Sequence, residues 1–443
     1  MKNSTFILIG LLTGFINPFS LPLALATPPV LTLVYSGNLD GELEPCGCSD
    51  AGNFGGIKRR ATLLQMLRKA TPDLVAISAG GLLSSEGPTD GIKAEYILQG
   101  FATFQYDAIG LQWRDLSYGV DFIKQRSLPW VASNWVDKTQ QALAPEKIIS
   151  RKIQNHRYEL QVFTWLDPDS SPANEMKGEH DLVSKDHKLL LAQIHQARQH
   201  GAITVLTSTL PLQVMQELIP LDDIDILFVR ANYEEFGEPK QTGRTLVLQP
   251  GSRGMRIARL DLQFDKDNKI TKWQHEVIPM PESMPDAPQL ASWYDAYNAT
   301  LKQDFERRAA LRKKMQAGES AYIGAASCEA CHAPQHKIWQ ESKHASAFEA
   351  LENVNKSFDP FCVACHVVGY EKDGGFIDIA MSDNLIGVQC ENCHGPGRQH
   401  VNSQGKQKTP NHDWPKPKIC QQCHIHKHSP EFNLDQYWPK IAH

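Results

Sequence analysis

Apolar and polar positions alternate at two different periods along the first 264 residues. Short β-branched and aromatic runs at 31–36, 74–78, 130–132, 158–165, 203–207 and 224–229 predict strands. Between them, 56–70, 93–104 and 184–199 have the length of helices and repeat apolar residues at three- and four-residue steps. Two later runs, 245–249 and 257–264, again read as strands, and the second alternates apolar with polar residues. Strands interleaved with helices in this way predict an α/β domain with mixed sheets.

Prolines at 279, 281, 285 and 288 end that pattern, and a helix is expected over 289–317. Leu290, Tyr294, Tyr297, Leu301 and Phe305 form its apolar face. Its end is basic, with Arg307, Arg308, Arg312, Lys313 and Lys314, which suits the carboxy end of a helix dipole. A solvated helix face and a docking patch for an acidic redox partner both fit that cluster. From residue 320 onward long apolar strands disappear, and Cys and His dominate. The expected organisation is a signal peptide at 1–26, an α/β domain at 27–281, a helical linker at 282–319 and a mainly α domain at 320–443.

Length and charge add limits. A chain of 443 residues is long enough for two or three domains. Its formal net charge of -5 gives no support for a nucleic-acid partner or an anionic membrane surface. Lys2, the apolar stretch 6–15 and Ala24-Leu25-Ala26 have the order of an export signal, so the mature chain is expected to start at Thr27 in the periplasm or outside the cell. No later run is apolar and long enough to span a bilayer.

Eight of the ten cysteines fall in four Cys-x-x-Cys-His segments: Cys328–Cys331–His332, Cys362–Cys365–His366, Cys390–Cys393–His394 and Cys420–Cys423–His424. Two thiols at this spacing reach the two vinyl groups of a haem, and the histidine that follows lies under the iron as its proximal ligand. Zinc binding or thiol redox chemistry would explain one such segment but gives no reason for His after every second Cys. Four covalently bound c-type haems are therefore expected. Met381 is the one methionine after Cys328, so His–Met ligation serves at most one iron. His336, His344, His400, His412, His426, His428 and His443 are available as distal ligands, which predicts bis-histidine ligation for most haems.

The carboxy-terminal third resembles the multihaem cytochrome c-554 family. The residues that carry the resemblance are Trp339-Gln340-Glu341-Ser342-Lys343-His344-Ala345, Gly387-Val388-Gln389, Gly395-Pro396-Gly397 with His400, and the tail from Ser429-Pro430-Glu431-Phe432 to Tyr437-Trp438-Pro439-Lys440-Ile441-Ala442-His443. The resemblance implies that His344, His400 and His443 are distal ligands, without fixing which iron each meets. It also implies an electron carrier with closely packed haems, one of them lacking a sixth ligand. No histidine lies between His366 and Cys390, so the family's ligand map does not transfer whole.

Residues 30–265 resemble the metallophosphatase fold of UshA-like periplasmic 5′-nucleotidases, through 31–41, 74–82, 107–119 and 245–254. Dinuclear hydrolysis needs Asp, His and Asn ligands around two ions. Here the corresponding positions read Asn38-Leu39-Asp40, Gly80-Gly81, Gln112-Trp113-Arg114-Asp115, Thr207-Ser208-Thr209 and Arg230-Ala231-Asn232, so phosphohydrolysis is not expected. The pair Cys46-Gly47-Cys48 fits either sulfur or soft-metal chemistry or a structural turn. The expected protein is an exported tetrahaem electron carrier with redox protein partners, whose amino-terminal domain docks or binds a substrate. The alternative is a haem-based oxidoreductase acting on a small nitrogen or sulfur compound at an open haem.

Overall fold

The chain enters its first sheet with β1 (Leu31–Ser36), a strand buried at every position. Burial on both faces is why the run reads as continuously apolar instead of alternating. The structure is a computed structural model that describes residues 29–45, 53–136, 143–172, 182–426 and 428–443. The expected signal peptide and the Cys46–Cys48 pair lie outside the described residues.

After β1 come α1 (Ile57–Ala70), β2 (Val75–Ser78), α2 (Asp90–Ala102), β3 (Ala108–Gly110), α3 (Val120–Lys124) and β4 (Trp130–Val131). The chain continues with β5 (Lys147–Ile153), β6 (His156–Trp165), α4 (Lys188–Gln199), β7 (Ile203–Ser208), α5 (Leu212–Leu218) and β8 (Ile226–Phe228). Then follow β9 (Lys240–Thr242), β10 (Thr245–Leu248), β11 (Arg256–Phe264) and β12 (Ile270–Pro279). One sheet has the order β12-β11-β1-β2-β3-β4 and the other β5-β6-β7-β8-β10-β9. Both are mixed: β1 runs parallel to β2 and antiparallel to β11, while β10 runs parallel to β8 and antiparallel to β9.

The two-residue period of a strand sorts the side chains into layers. Leu31, Leu33 and Tyr35 pack between the sheets against Leu160, Val205 and Phe228. Val34, Ala76 and Ile109 face the other way, onto α1 and α2. Phe163, Leu206 and Leu227 take α4 and α5 on the far side. The result is a four-layer sandwich with helices outside two stacked sheets, as the α/β reading requires.

Helix α6 (Ala291–Met315) buries Tyr297, Leu301, Phe305 and Ala309. It lies on α2, where Tyr96 meets the Tyr297 ring at 5.4 Å and the Thr300 hydroxyl at 2.8 Å. Two residues of its basic end are engaged inside the molecule, while Arg307, Lys313 and Lys314 are exposed. Arg308 donates to the Pro88 carbonyl at 2.7 Å. Arg312 donates to the Ile377 carbonyl at 3.0 Å and stands over the Tyr370 ring at 4.6 Å. These two arginines hold the flanking domains to the helix, a use that neither sequence reading of the cluster anticipated.

Beyond α6 the elements are α7 (Ala326–Gln340), α8 (Ala347–Asn353), α9 (Pro360–His366), α10 (Cys390–His394), α11 (Arg398–Asn402), α12 (Lys416–Cys420) and α13 (Leu434–Tyr437). Phe348, Leu351, Val363, Val367, Val368, Phe376 and Leu385 join the same apolar cluster as α1, α2 and α6. That packing is larger than the composition suggested. It stops abruptly: among the described residues no hydrophobic side chain after Leu385 is buried. No helix among the described residues is long and apolar enough to cross a membrane.

Candidate functional site

On a helical turn, residues i, i+3 and i+4 share one face, so each Cys-x-x-Cys-His segment presents two thiols and an imidazole together. Segment one opens α7, and the helix breaks at His332, where φ is -124° and ψ 39°. The second occupies α9, started by Pro360 and by the Asp359 carboxylate, which accepts the Phe361 N–H at 3.0 Å. The third is α10 itself, opened by a reciprocal Gln389–Asn392 capping box and closed by Gly395 at φ 83°. In the fourth, α12 ends at Cys420 and a turn brings the His424 N–H to the Cys420 carbonyl at 2.9 Å.

Two pairs of segments come into contact through their thiols. Cys328 lies against Cys390 and Cys365 against Cys423, whose thiol also donates to the Cys365 carbonyl at 4.0 Å. Imidazoles pair as well. The ring centroids of His332 and His400 are 6.2 Å apart, those of His344 and His424 also 6.2 Å, and those of His394 and His443 5.8 Å. His366 has no such partner among the described residues; its Nδ1 meets the Ala347 carbonyl at 2.6 Å.

Four of these imidazoles have Nδ1 occupied. Besides His366, His400 meets the Gln407 carbonyl at 2.7 Å, His443 the Ile441 carbonyl at 3.0 Å and His424 the Ser429 hydroxyl at 3.2 Å. An Nδ1–H held by an acceptor leaves Nε2 bare and orients the ring, the arrangement a metal-bound imidazole needs. Burial lowers the basicity of His344, His366, His394 and His424, which favours the neutral imidazole. The remaining candidates are engaged elsewhere. His336 faces Glu329 at 3.7 Å, His412 faces Asp413 at 3.8 Å, and His426 reaches Glu234 of the amino-terminal domain at 3.8 Å. His428 sits in the turn after the fourth segment, its N–H bonded to the Ile425 carbonyl. Met381 lies 38% exposed in the loop that follows Ile377.

One residue escaped the sequence reading because it sits inside a motif. Glu391, in the third segment, is buried and accepts the N–H groups of Ile323 at 3.0 Å, Gly324 at 2.9 Å and Gly397 at 2.7 Å. It thereby fixes the start of α7 against α10. Gly387 and Val388 form a second junction. Their N–H groups bond the His366 and His344 carbonyls, both at 3.1 Å, and the Val388 carbonyl accepts the Trp339 indole at 2.7 Å.

The arrangement fits haem. An iron held by two imidazole nitrogens at about 2 Å each puts the ring centroids roughly 6 Å apart, the spacing of all three pairs. The lack of buried apolar side chains beyond Leu385 among the described residues is the second match, because an attached macrocycle would supply that missing core.

The amino-terminal cleft does not fit a pair of metal ions. Asp40 forms an ion pair with Arg114 and accepts the Arg253 N–H at 3.0 Å. Arg253 in turn pairs with Glu234. Gln112 donates to Asn38 at 2.9 Å. Asp115 is fully buried and takes the N–H groups of Leu82 at 2.6 Å, Gly81 at 2.9 Å, Gln112 at 3.0 Å and Leu83 at 3.3 Å. Guanidinium groups and backbone amides consume the carboxylates that a dinuclear centre would use.

Comparison with known proteins agrees with this division. Residues 327–395 match the family of cytochrome c554 and c-prime. Cytochrome c-554 of Nitrosomonas europaea is 33% identical over 141 residues, covering 25% of this chain and 60% of that protein. The chain thus spans less than two thirds of its relative. Among solved structures, a 5′-nucleotidase precursor from Thermus thermophilus aligns with a TM-score of 0.52 at 17% identity, over 61% of this chain and 59% of that one. The sulfate thiohydrolase SoxB of the same organism aligns with a TM-score of 0.51 at 16% identity, over 62% and 61%. The calcineurin-like phosphoesterase YfkN of Bacillus subtilis aligns at 0.50 and 13%, over 62% and 98%. These structural likenesses concern the fold alone. The chain therefore joins a domain of metallophosphatase fold to a carboxy-terminal segment that matches the cytochrome c554 family, and that match implies covalently bound haem c.

Proposed function

We propose that the chain is an exported c-type cytochrome carrying four haems, which passes electrons between respiratory redox partners. Cys328/Cys331, Cys362/Cys365, Cys390/Cys393 and Cys420/Cys423 make the thioether links, with His332, His366, His394 and His424 as proximal ligands. His400, His443 and His344 close the irons of the first, third and fourth segments. Bound haem supplies the one-electron chemistry. The protein's own part is to attach, orient and space the groups. Acceptors on Nδ1 hold the imidazoles in the ligating tautomer, and the thiol contacts of segments one with three and two with four bring the sites into close pairs.

The observation that carries this reading is the set of three imidazole pairs at iron-spanning distance. The unpaired His366 favours a second reading for its segment: an open iron able to take a small nitrogen or sulfur compound. Export through residues 1–26 and a docking or substrate-binding role for residues 27–281 belong to the proposal. The test is low-temperature EPR on haem-loaded protein, after a pyridine haemochrome count. Four haems with one high-spin ferric signal near g ≈ 6 support both readings. Four low-spin haems leave a carrier without an open iron, and a count other than four removes the assignment.

A further inference from the structure

The second segment is the one built onto the amino-terminal domain. Gly87 lies so close to Phe361 that a Cβ there would come within 2.0 Å of the ring. Lys93 of α2 stands over the same ring at 3.5 Å. Beside it is a charge cluster that neither the electron-transfer reading nor the degenerate cleft accounts for. Lys356, 7% exposed, pairs with Glu44 at 2.7 Å and donates to Asn298 at 2.7 Å. Glu44 also accepts the Tyr294 hydroxyl. The buried Tyr297 hydroxyl has no hydrogen-bond partner among the described residues. Asp359, 2% exposed, caps α9 and makes no ion pair within 4 Å among the described residues.

Two carboxylates and two ammonium groups therefore meet in the interface, one helical turn from Cys362. Tyr297 feels Asp359, Glu44, Tyr294 and Cys362 together, so these groups share one electrostatic neighbourhood. Glu44 already holds a cation directly. Asp359 is the less well compensated carboxylate, and burial raises its proton affinity, against Lys93 and Lys356 and with Glu44.

We propose that Asp359 is a proton-binding site coupled to the haem attached at Cys362, an inference that rests on the haem assignment above. An electron from the redox partner takes the iron from ferric to ferrous, and one proton from solvent binds the Asp359 carboxylate. Oxidation releases both. In a poorly solvated interface an added negative charge raises the affinity of a nearby carboxylate for a proton, and the bound proton stabilises the reduced state. The facing groups are Lys93 from α2, Glu44 from the β1–α1 connection, Tyr294 and Tyr297 from α6, and Lys356 from the turn before α9.

The experiment is a redox titration of the full haem-loaded protein, following the high-spin species from about pH 5 to 8. Its midpoint potential is expected to fall with rising pH, approaching 59 mV per unit where coupling is complete. Asp359→Asn keeps an equally good N-cap, so the helix survives while the slope disappears. Lys356→Met removes a compensating cation and moves the sloping region to higher pH. Redox-difference infrared spectra should show a protonated carboxyl band on reduction, absent in Asp359→Asn. A pH-independent wild-type potential, or an unchanged slope in Asp359→Asn, overturns the proposal. The haemochrome count is made first: four haems with no Asp359-dependent slope refute the proton site alone, whereas a missing haem at Cys362 refutes the haem assignment itself.

Discussion

Replacing His344 by Ala isolates one axial pair. The His344 ring faces His424 across 6.2 Å at an interplanar angle of 49°. Two iron–nitrogen bonds of about 2 Å account for most of that gap, so the two rings leave space for one iron and nothing more. The His344 backbone is held separately, its carbonyl by the Val388 N–H at 3.1 Å and its N–H by the Ser342 hydroxyl at 3.2 Å. Truncation at Cβ therefore removes the ligand and leaves the loop. On the proposed assignment the thioether links at Cys420 and Cys423 would be untouched, so the haem count should stay at four. The high-spin ferric signal should grow from about one haem to about two, and millimolar imidazole should convert the added signal to low spin, with its uptake by the native open iron read from the wild type. His400→Ala and His443→Ala should behave alike, each opening a different iron. His412→Ala is the control, because that ring faces Asp413 at 3.8 Å in place of another imidazole. An unchanged high-spin count in His344→Ala, or an increase in His412→Ala, would refute the pairing.

Asp115→Asn offers one oxygen to four N–H groups and should lower stability by about 1–3 kcal/mol in urea titrations at about pH 4, followed by far-ultraviolet circular dichroism, a deficit that narrows toward neutral pH as the native carboxyl ionises. Burial, the largest influence on Asp115, raises its pKa to about 6 from 3.8 despite those hydrogen bonds. The folded chain then binds the extra proton between these values. Stability from this group is full below 3.8 and lost as the pH rises through about 6, by up to about 3 kcal/mol, a slope that Asp115→Asn should abolish. Glu391→Gln should leave at least one amide among Ile323, Gly324 and Gly397 without an acceptor, costing about 1–3 kcal/mol and speeding hydrogen exchange at that end of α7. Incubation with manganese or zinc should give no hydrolysis of nucleotide esters. Turnover that is lost on Asp40→Asn would contradict the account of the cleft.

Strands buried on both faces were the easy part of the sequence. β1, β6 and β7 were legible because nearly every residue in β1 and β7, and most of the second half of β6, is apolar or β-branched. β5 and β12 were not. They are edge strands whose charged residues face solvent, and Lys147–Ile153 buries a single residue outright. The Cys-x-x-Cys-His segments were legible because their pattern is local, closing over five residues. The imidazole pairs were not, because each joins positions far apart in sequence through helices too short to carry a periodic signal. Glu391 was hidden for a different reason. Its role lies in three backbone amides from other segments, and no side-chain pattern announces an amide that needs an acceptor. The basic end of α6 was legible in part: Arg307, Lys313 and Lys314 are exposed as a solvated face requires, whereas Arg308 and Arg312 fasten the helix to neighbouring segments.

The abrupt end of apolar burial at Leu385 has a consequence for biosynthesis. Residues before it can collapse by themselves, since their side chains supply two sheets and an apolar cluster that joins α1, α2, α6, α8 and α9. Residues after it have almost nothing to collapse onto until macrocycles are attached. The amino-terminal domain can therefore fold as soon as it emerges, while the last two Cys-x-x-Cys-His segments stay accessible to the attachment machinery. On the proposed haem assignment, maturation should proceed in the direction of synthesis, with haem insertion as the final folding step. A chain starved of haem should accumulate with an intact front and a protease-sensitive tail.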